Sequence, residues 1–594
     1  MLFRSVSTNE NMQTGNNRSI DAARLIDLFL AGAANLEAGK EWINELNVFP
    51  VPDGDTGTNM TLTVKSAVAE VGNLDDNART MRDVCKAISS GSLRGARGNS
   101  GVILSQLMRG FGKVVRDKDE ITVPVIADAF VRATETAYKA VMKPKEGTIL
   151  TVARGISDKA RELADQGVDD FDTFIPAVLT HGEEVLEKTP DMLPVLKQAG
   201  VVDSGGQGLI QFLKGCYDRY QGKEIKEIAA AAQEQAESAQ AAAPEAAEPV
   251  LKYLYSTAFS IVLNKEFNKS AAKSLRKYLD TLGDSVICER LEETVTVQLH
   301  TNDPGLALQK GLQYGDLTGL VIENMKLEKA GSARAAASAA GGAAEAAQEA
   351  GAGSSPDAQA SGTTAAQAPE ETMPHKDVGF ITVSVGDGIE EIFRGLGVDD
   401  VISGGQTMNP STDDILSAIK KVNADTVFVL PNNKNIIMAA NQAAELTEDK
   451  KVIVIPTANI PQGITAIINY APDLDADENR ENMLAGIEEV KSAEITYAVR
   501  DTVIDGLEIH KDDIMGIGDA GILAAGKDRD ATALACLEKM TGEETEIISI
   551  YYGADVTAEE AEKFREAVLE RFDSCEVELQ SGGQPIYYYI LSAE

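Results

Sequence analysis

Residues 47–60 read Asn-Val-Phe-Pro-Val-Pro-Asp-Gly-Asp-Thr-Gly-Thr-Asn-Met and introduce a helical pattern that continues to Val71. Two prolines stiffen the approach to this stretch, and Asp53-Gly54-Asp55 brings two carboxylates together on a tight turn. Hard oxygen ligands at this spacing suit Mg²⁺, which commonly takes one or two carboxylates together with substrate phosphates. A helix beginning at Thr58 or Asn59 would add N–H groups that favour an anion. The stretch predicts a magnesium and phosphate site, and the alternative is an acidic turn that only caps a helix.

A second glycine-rich stretch, residues 91–101, reads Gly-Ser-Leu-Arg-Gly-Ala-Arg-Gly-Asn-Ser-Gly. Its glycines let backbone amides approach phosphates closely. Arg97 or Arg94 is suited to neutralising charge on a transferred phosphoryl group, and Ser100 to capping the next helix while binding phosphate. No Lys-Ser/Thr pair follows the glycines, so the stretch is not a Walker A motif. A plain helix–helix turn is the alternative.

A third stretch, residues 200–208, reads Gly-Val-Val-Asp-Ser-Gly-Gly-Gln-Gly. Asp203 and the glycines, Gly205 among them, are suited to wrapping the base or ribose edge of a nucleotide. A surface loop before a helix is the alternative. A weaker signal is Glu146-Gly147-Thr148, in which Thr148 is expected to cap its helix.

The bulk composition excludes several functional classes. The chain has 594 residues and a formal charge of -38, with 93 acidic against 55 basic side chains. Duplex nucleic acid and anionic membrane surfaces both require clustered basic residues, so neither is an expected partner. The five cysteines are scattered, which argues against a disulfide framework or a thiolate zinc site. The polar N-terminus and the lack of any long apolar stretch predict a cytoplasmic protein without a membrane span.

Two Ala-rich segments divide the chain into several domains. Residues 228–249 are predicted as a linker, with a frayed helix as the alternative. The segment over 329–375 is predicted to be disordered, because residues 329–372 contain no Leu, Ile, Val or Phe. The remaining assignments are a disordered N-terminus at 1–18, an all-helical domain at 19–227, an α+β domain at 250–328 and an α/β domain at 376–594, the last with βαβ alternation and a second α/β subdomain.

The three motifs, in this order, resemble the nucleotide-binding domain of the dihydroxyacetone kinase L-subunit (DhaL) family. Residues 47–60 and 95–101 are most similar to the branch formed by fatty acid kinase ATP-binding subunits. The strings TVQLHTNDPG at 296–305 and GGQTMNPST at 404–412 extend the resemblance to the rest of the chain. It implies an eight-helix barrel that binds ATP through two Mg²⁺ ions, and a C-terminal α/β domain with a DegV-like fold.

The resemblance also implies roles for individual residues. Metal ligation carries over onto Asp53 and Asp55, and Asn47 takes the position of a third ligand that is an Asp in the simpler dihydroxyacetone enzymes. Arg97 joins the two aspartates as a catalytic residue. The implied nucleotide contacts are Thr56, Thr58, Asn59, Gly98, Asn99, Ser100, Gly101, Thr148, Asp203 and Gly205.

The function implied by the resemblance is the transfer of the ATP γ-phosphate to a fatty acid that a separate, lipid-loaded DegV-like protein holds. The products would be ADP and an acyl phosphate for phospholipid synthesis. A carboxylate is already ionised at pH 7, so the acceptor needs no general base. Two alternatives stay open: a kinase of a small hydroxylated metabolite such as dihydroxyacetone, and a non-catalytic ATP-binding scaffold.

The middle domain of some relatives carries a metal-like cluster of one Cys and two His. Two of those positions are Ser256 and Gln298 here, and only His300 is kept. Because a lone His does not make a zinc site, we predict that the chain binds no zinc. The sequence leaves open whether the protein forms a homodimer.

Overall fold

The structure is a computed structural model, and two compact units contain its described residues. The first unit joins residues 1–244 to residues 369–594, and the second comprises residues 245–368. Each unit is described by itself below. The described residues are 17–48, 54–74, 79–141, 143–242, 255–263, 269–280, 282–291, 294–302, 304–324, 375–405, 409–498, 502–504, 507–519, 521–542 and 545–594.

Among the described residues of the N-terminal part of the first unit, the regular elements are all helices, apart from an isolated bridge between Ile20 and Ile121. The eight long helices of the barrel are α1 (Ala22–Ala38), α3 (Thr56–Gly72), α4 (Met81–Arg94), α5 (Gly98–Val115), α6 (Val123–Ala140), α7 (Ile149–Asp165), α8 (Phe171–Glu187) and α11 (Ser204–Tyr220). The remaining helices are α2 (Lys40–Glu45), α9 (Thr189–Met192), α10 (Pro194–Ala199) and α12 (Ile225–Ala242).

The eight long helices pack as a closed ring. Each contacts the next in chain order, and α11 returns to pack against α1. Side chains such as Leu36, Met60, Leu104 and Phe174 are fully buried between them. A cavity of about 180 Å³ remains inside, lined almost entirely by apolar side chains. The predicted eight-helix barrel is confirmed.

Side-chain caps define several of the helix starts. Asp21 accepts a hydrogen bond from the N–H of Arg24, and Asp170 from the N–H of Thr173, each at 2.8 Å. Such caps satisfy N–H groups that lack an intrahelical partner. The predicted start of α3 at Thr58 or Asn59 is wrong, because the helix begins at Thr56.

The predicted segment boundaries need two further corrections. The predicted linker at 228–249 is helical as far as Ala242, and Ile228 and Ala232 are buried. Near the N-terminus, the predicted disorder does not extend to residues 17 and 18, because the carbonyl of Asn17 accepts a 2.9 Å hydrogen bond from the N–H of Phe171. Most of the segment predicted as disordered at 329–375 lies outside the described residues.

The second unit is a small α+β module, as predicted. Its strands β1 (Tyr255–Leu263), β2 (Gly283–Leu291), β3 (Thr294–Thr301) and β4 (Gly315–Asn324) form an antiparallel sheet in the order β2-β3-β1-β4. The helices α13 (Lys269–Asp280) and α14 (Pro304–Gly311) complete it. Residues 256 and 300 are cross-strand partners, and residues 258 and 298 are paired two positions further along, so the three positions of the relatives' cluster lie close on β1 and β3.

The C-terminal part of the first unit contains two larger sheets. The first is parallel, in the order β6-β5-β7-β8, and consists of β5 (Lys376–Ser384), β6 (Asp400–Ser403), β7 (Ala424–Leu430) and β8 (Lys451–Val454). Its helices are α15 (Asp387–Gly395), α16 (Thr412–Lys421), α17 (Ile437–Leu446), α18 (Ile460–Ile468) and α19 (Ala476–Glu489).

The second sheet is mixed and confirms the predicted second α/β subdomain. Its order is β13-β12-β9-β16-β14-β15, and only the β14–β15 pair is parallel. The elements are β9 (Lys491–Tyr497), β10 (Thr502–Ile504), β11 (Leu507–Ile509), β12 (Ile514–Gly518), β13 (Gly521–Gly526), α20 (Arg529–Met540), β14 (Ile547–Tyr552), α21 (Ala558–Arg571), β15 (Glu576–Ser581) and β16 (Tyr589–Ala593), of which β10 and β11 form a separate hairpin. None of the helices in the described ranges is long and apolar enough to cross a bilayer.

Candidate active site

The starts of three barrel helices meet at one place. Thr56 is the first residue of α3, Ser100 lies in the first turn of α5, and Ser204 is the first residue of α11. The Ser204 hydroxyl donates to Thr56 Oγ1 at 3.2 Å, and Thr56 Oγ1 lies 3.5 Å from Ser100 Oγ. Helix N-termini carry N–H groups without intrahelical partners and a partial positive charge. Three of them together form a setting that favours a polyanion such as a triphosphate.

Glycines allow α3 and α5 to approach each other closely at this place. Gly98 has a φ of +57°, and a Cβ added there would lie 2.5 Å from Asn59 Nδ2. A Cβ added at Gly101 would lie 2.3 Å from Thr63 Oγ1. The Thr63 hydroxyl itself donates to the carbonyl of Asn59 at 2.7 Å and accepts a 3.3 Å hydrogen bond from the N–H of Arg97. A larger residue at either glycine would push the two helix starts apart.

The carboxylate of Asp55 stands at the N-cap of α3. Its Oδ2 accepts a 2.6 Å hydrogen bond from Asn409 Nδ2. Asn47 is buried, with 3% of its surface exposed. Asp53 lies outside the described residues, as do residues 49–52. The carboxylate of Asp55 and the amide oxygen of Asn47 are ligand types that Mg²⁺ accepts, so the chemistry of these two residues suits such an ion.

Thr58 has a different environment from that of Thr56 and Asn59. Its N–H donates to Asn44 Oδ1, and its hydroxyl accepts from Asn44 Nδ2, both at 3.0 Å. The amide of Asn44 on α2 thus engages both polar groups of Thr58, which ties the first turn of α3 to α2. Asn44 was not predicted, and no periodicity or motif in the sequence indicates it.

Asp203 joins the starts of α11 and α7. Its Oδ2 accepts a 2.7 Å hydrogen bond from the N–H of Gly206, and its own N–H donates to Thr189 Oγ1 at 3.0 Å. Burial raises the pKa of Asp203 to about 6, although hydrogen bonds from the N–H groups of Gly206 and Ile149 oppose the rise. Gly205 lies against Ile149, since a Cβ there would be 3.2 Å from Ile149 Cβ. The carboxylate therefore fixes backbone beside the predicted nucleotide site.

The turn before α7 differs from the expectation. Thr148 occupies the N-cap position, but its hydroxyl donates to the carbonyl of Lys145 at 2.9 Å and makes no side-chain cap. The turn is instead held by Glu146, which accepts hydrogen bonds from Arg154 at 2.8 and 2.6 Å and from Thr151 at 2.7 Å. Burial acts to raise the pKa of Glu146, but the hydrogen bonds from Thr151 and Arg154 outweigh it and the pKa is lowered.

The parallel sheet of the C-terminal part supplies further side chains that the sequence did not predict here. Arg97 Nη1 donates to the carbonyl of Asn409 at 2.7 Å, and Arg97 Nη2 lies 3.4 Å from Asp414 Oδ2. Asn99 Nδ2 donates to Asn435 Oδ1 at 3.0 Å. Asn409 and Asn435 follow β6 and β7, at the carboxyl ends of parallel strands, where binding loops commonly lie. The position of these loops at the carboxyl ends of the strands indicates a functional role. It does not indicate which part of the chain the loops contact.

Known proteins match this chain over most of its length. Residues 379–594 match the FakA-like C-terminal domain of fatty acid kinase, residues 252–332 the FakA-like middle domain, and residues 50–218 the DAK2 domain. Protein YloV of Bacillus subtilis (strain 168) is 40% identical over 581 residues, which cover 97% of this chain and 100% of YloV. The chain belongs to the FakA-like family of fatty acid kinase proteins.

Another relative of this FakA-like chain is an uncharacterized protein of Staphylococcus aureus (strain USA300). It is 38% identical over 578 residues, which cover 97% of the chain and 99% of the relative. Among solved structures, a DegV family protein of Corynebacterium glutamicum aligns at 16% identity with a TM-score of 0.29, covering 36% of the chain and 97% of that protein. The sequence matches alone carry the family assignment.

Proposed function

We propose that this chain is the ATP- and Mg²⁺-dependent subunit of a fatty acid kinase. It phosphorylates the carboxyl group of a fatty acid that a separate, DegV-like lipid-binding protein holds, and the products are ADP and an acyl phosphate. The observation that carries the proposal is the meeting of three helix N-termini at Thr56, Ser100 and Ser204, directly beside the carboxylate of Asp55. Membership of the family supports the acceptor class.

In this proposal the metal ligands are Asp53, Asp55 and Asn47. Bound Mg²⁺, for which we propose two ions, would supply charge neutralisation to the triphosphate. The chain's own phosphate contacts are Thr56, Asn59, Gly98, Asn99, Ser100 and Gly101. The nucleotide edge is assigned to Thr148, Asp203 and Gly205. The contacts of Thr58 with Asn44 favour an indirect role, in which Thr58 positions the first turn of α3.

The chemistry needs no proton transfer. The ionised carboxylate of the fatty acid attacks the γ-phosphorus, the bond to the β–γ bridging oxygen breaks, and ADP leaves with the electron pair. This agrees with the three motifs, which contain no His or Cys. Arg97 at the start of α5 neutralises charge on the transferred phosphoryl group. We assign residues 376–594 to contact with the lipid-carrying partner, in the cytoplasm and for phospholipid synthesis.

The direct test is reconstitution. Purified protein, Mg²⁺, ATP and a DegV-like carrier loaded with oleate should release ADP and form acyl phosphate, trapped as the hydroxamate with hydroxylamine. Carrier without oleate is the blank, and dihydroxyacetone in place of the loaded carrier tests the small-metabolite alternative. ADP release with dihydroxyacetone but not with the carrier would overturn the assignment of the acceptor.

A matched pair of variants tests the site itself. We expect Asp55→Asn to remove Mg²⁺-dependent ATP binding, because the ligand charge is lost, whereas Asp170→Asn changes another helix N-cap and should leave binding intact. Binding is measured by calorimetry with and without EDTA. ATP binding without turnover, in the presence of loaded carrier, would favour the non-catalytic scaffold. Wild-type protein with no cation-dependent ATP binding would refute the proposal.

A further inference from the structure

The parallel sheet of the C-terminal part packs its carboxyl edge on the kinase motif at residues 91–101. Ala96 and Val102 lie in one buried apolar cluster with Ile415 and Leu416 of α16. The N–H of Thr412 donates to the carbonyl of Ala96 at 3.1 Å. The motif that the sequence assigns to phosphate binding is therefore covered by another part of the same chain.

Buried polar pairs make this contact specific. Gln106 Nε2 donates to Gln442 Oε1 at 3.0 Å, and Gln442 Nε2 donates to the carbonyl of Leu93 at 2.5 Å. Both glutamines are about 5% exposed. Buried polar groups are stable only when they are hydrogen-bonded, so these amides fix one register between α5 and α17.

Asn409 and Asp414 make the kinds of contact with the candidate site that we propose for its cation and its phosphate. Asn409 Nδ2 donates to Asp55, so an N–H group takes the place of a cation on a proposed metal ligand. The carbonyl of Asn409 and the carboxylate of Asp414 face Arg97, so oxygen acceptors take the place of phosphate oxygens. Asp55 and Arg97, two charged groups of the proposed machinery, are thus engaged from within the chain.

Two acceptors are left unsatisfied by this arrangement. Asn409 Oδ1 and Asn99 Oδ1 are buried, and neither has a hydrogen-bond partner among the described residues. A buried acceptor without a partner carries a desolvation cost, whereas separation would return it to water. The contact is therefore specific in register, and returning these two acceptors to water would offset part of the cost of separating it.

We propose that residues 409–416 form an intramolecular lock on the kinase site, which must leave Asp55 and Arg97 before Mg²⁺ and the ATP phosphates engage them. The proposal rests on the proposed function, because it gives Asp55 and Arg97 their roles. The amide of Asn409 competes with a cation for Asp55, and the carboxylate of Asp414 competes with the transferred phosphoryl group for Arg97. The lipid-carrying partner then acts on the same face by displacing residues 409–416.

Closing the lock covalently tests this directly. Ala96 and Thr412 are joined by a backbone hydrogen bond, so cysteines at these two positions are the choice for a cross-link between the lock and residues 91–101. In full-length Ala96→Cys/Thr412→Cys protein, oxidation should lower acyl phosphate formation at least tenfold, and dithiothreitol should restore it. Each single variant, oxidised in the same way, is the control for the native cysteines. A cross-link confirmed by mass spectrometry together with undiminished activity would overturn the lock.

Opening the lock is the complementary test, and it decides the question if the disulfide does not form. Asn409→Ala removes the donor to Asp55, whereas Asn469→Ala removes an amide donor to Thr465 within the C-terminal part. We expect Asn409→Ala to bind Mg²⁺ and ATP several-fold more tightly and to turn over faster, with Asn469→Ala unchanged. Equal or slower turnover of Asn409→Ala contradicts the lock. If no reduced protein binds Mg²⁺ and ATP, the proposed function fails instead.

Discussion

Replacing Gly98 with alanine would destabilise the protein in two ways, through backbone strain and through a clash of the added Cβ with Asn59. The backbone of Gly98 has a φ of +57°, a left-handed conformation that costs a non-glycine residue about 1–2 kcal/mol. The added Cβ would also lie 2.5 Å from Asn59 Nδ2, nearly 1 Å inside ordinary van der Waals contact. Because Asn59 is 4% exposed and packed at the start of α3, its amide has to leave the proposed phosphate site to make room.

The expected effects follow from these two terms. Strain and the displaced amide together should lower the free energy of unfolding of the barrel by roughly 2–4 kcal/mol. For a domain of this size, that corresponds to a fall in Tm of about 4–16 °C. We expect Mg²⁺-dependent ATP binding to weaken at least about tenfold, since loss of one phosphate contact costs roughly 1.4 kcal/mol or more. Circular dichroism gives the Tm, and calorimetry gives the Kd.

Two other glycines provide matched controls. Gly167 has a φ of +84° and Gly72 has no such φ, and an added Cβ at either meets nothing within 4 Å. Gly167→Ala should therefore show the strain alone, and Gly72→Ala should be stabilised by up to about 1 kcal/mol. Both should bind ATP as the wild type does. Equal losses of stability in Gly98→Ala and Gly167→Ala, with equal ATP affinity, would refute the assignment of Asn59 and Gly98 to one crowded phosphate site.

Three further substitutions test other parts of the barrel. Burial raises the pKa of Asp203 from 3.8 to about 6, so its contribution to stability is complete below about pH 4 and is lost, by roughly 3 kcal/mol, as pH rises through 6. Asp203→Asn should therefore flatten the fall in Tm between about pH 4 and pH 6, and an unchanged slope over that range contradicts this. Glu146→Gln breaks a half-exposed pair with Arg154, so we expect a loss of at most about 1 kcal/mol and a rise in the KM for ATP of at most about fivefold. At Gly182, a Cβ would lie 2.9 Å from Ile156 Cγ1, so Gly182→Ala should cost about 1–3 kcal/mol in thermal unfolding yet leave the ATP Kd unchanged.

The sequence predicted those features of the fold that local physics determines. Apolar residues at helical spacing predicted the barrel helices, and βαβ alternation predicted the parallel sheet. Local geometry also explains one wrong boundary. The run Ile-Tyr-Tyr-Tyr-Ile at residues 586–590 predicts a final strand, but Ile586 has a φ of +71°, which a strand excludes, and β16 begins at Tyr589. The sequence does not indicate this left-handed conformation at Ile586, because a β-branched residue rarely adopts a positive φ.

The motifs predicted many of the candidate site residues but not the contacts between them. Thr56 and Ser204 are separated by 148 positions, and their hydrogen bond depends on how the barrel closes. The contact of Asn409 with Asp55 spans 354 positions and joins two folding patterns that the sequence presents as independent. Polar contacts between residues so far apart in sequence produce no periodic pattern. A single sequence therefore could not indicate that the C-terminal part of the chain covers the candidate site of the barrel.

Because the chain carries a large negative charge, nucleotide binding would depend on attractive groups close to the ligand. A protein with a formal charge of -38 repels a nucleotide at long range, although salt screens that repulsion beyond about 8–10 Å. Attraction must then come from groups that act over a few ångströms. The N-termini of α3, α5 and α11 supply fixed dipoles that cannot titrate, and Arg97 supplies a full charge beside them. Asp414 faces that guanidinium and Asn409 faces Asp55, so the same short-range forces that would bind a triphosphate hold residues 409–416 in place. Under the proposed function, the choice between a triphosphate and residues 409–416 would depend on Mg²⁺, since only a cation turns the carboxylate of Asp55 from a repulsive group into an attractive one for phosphate.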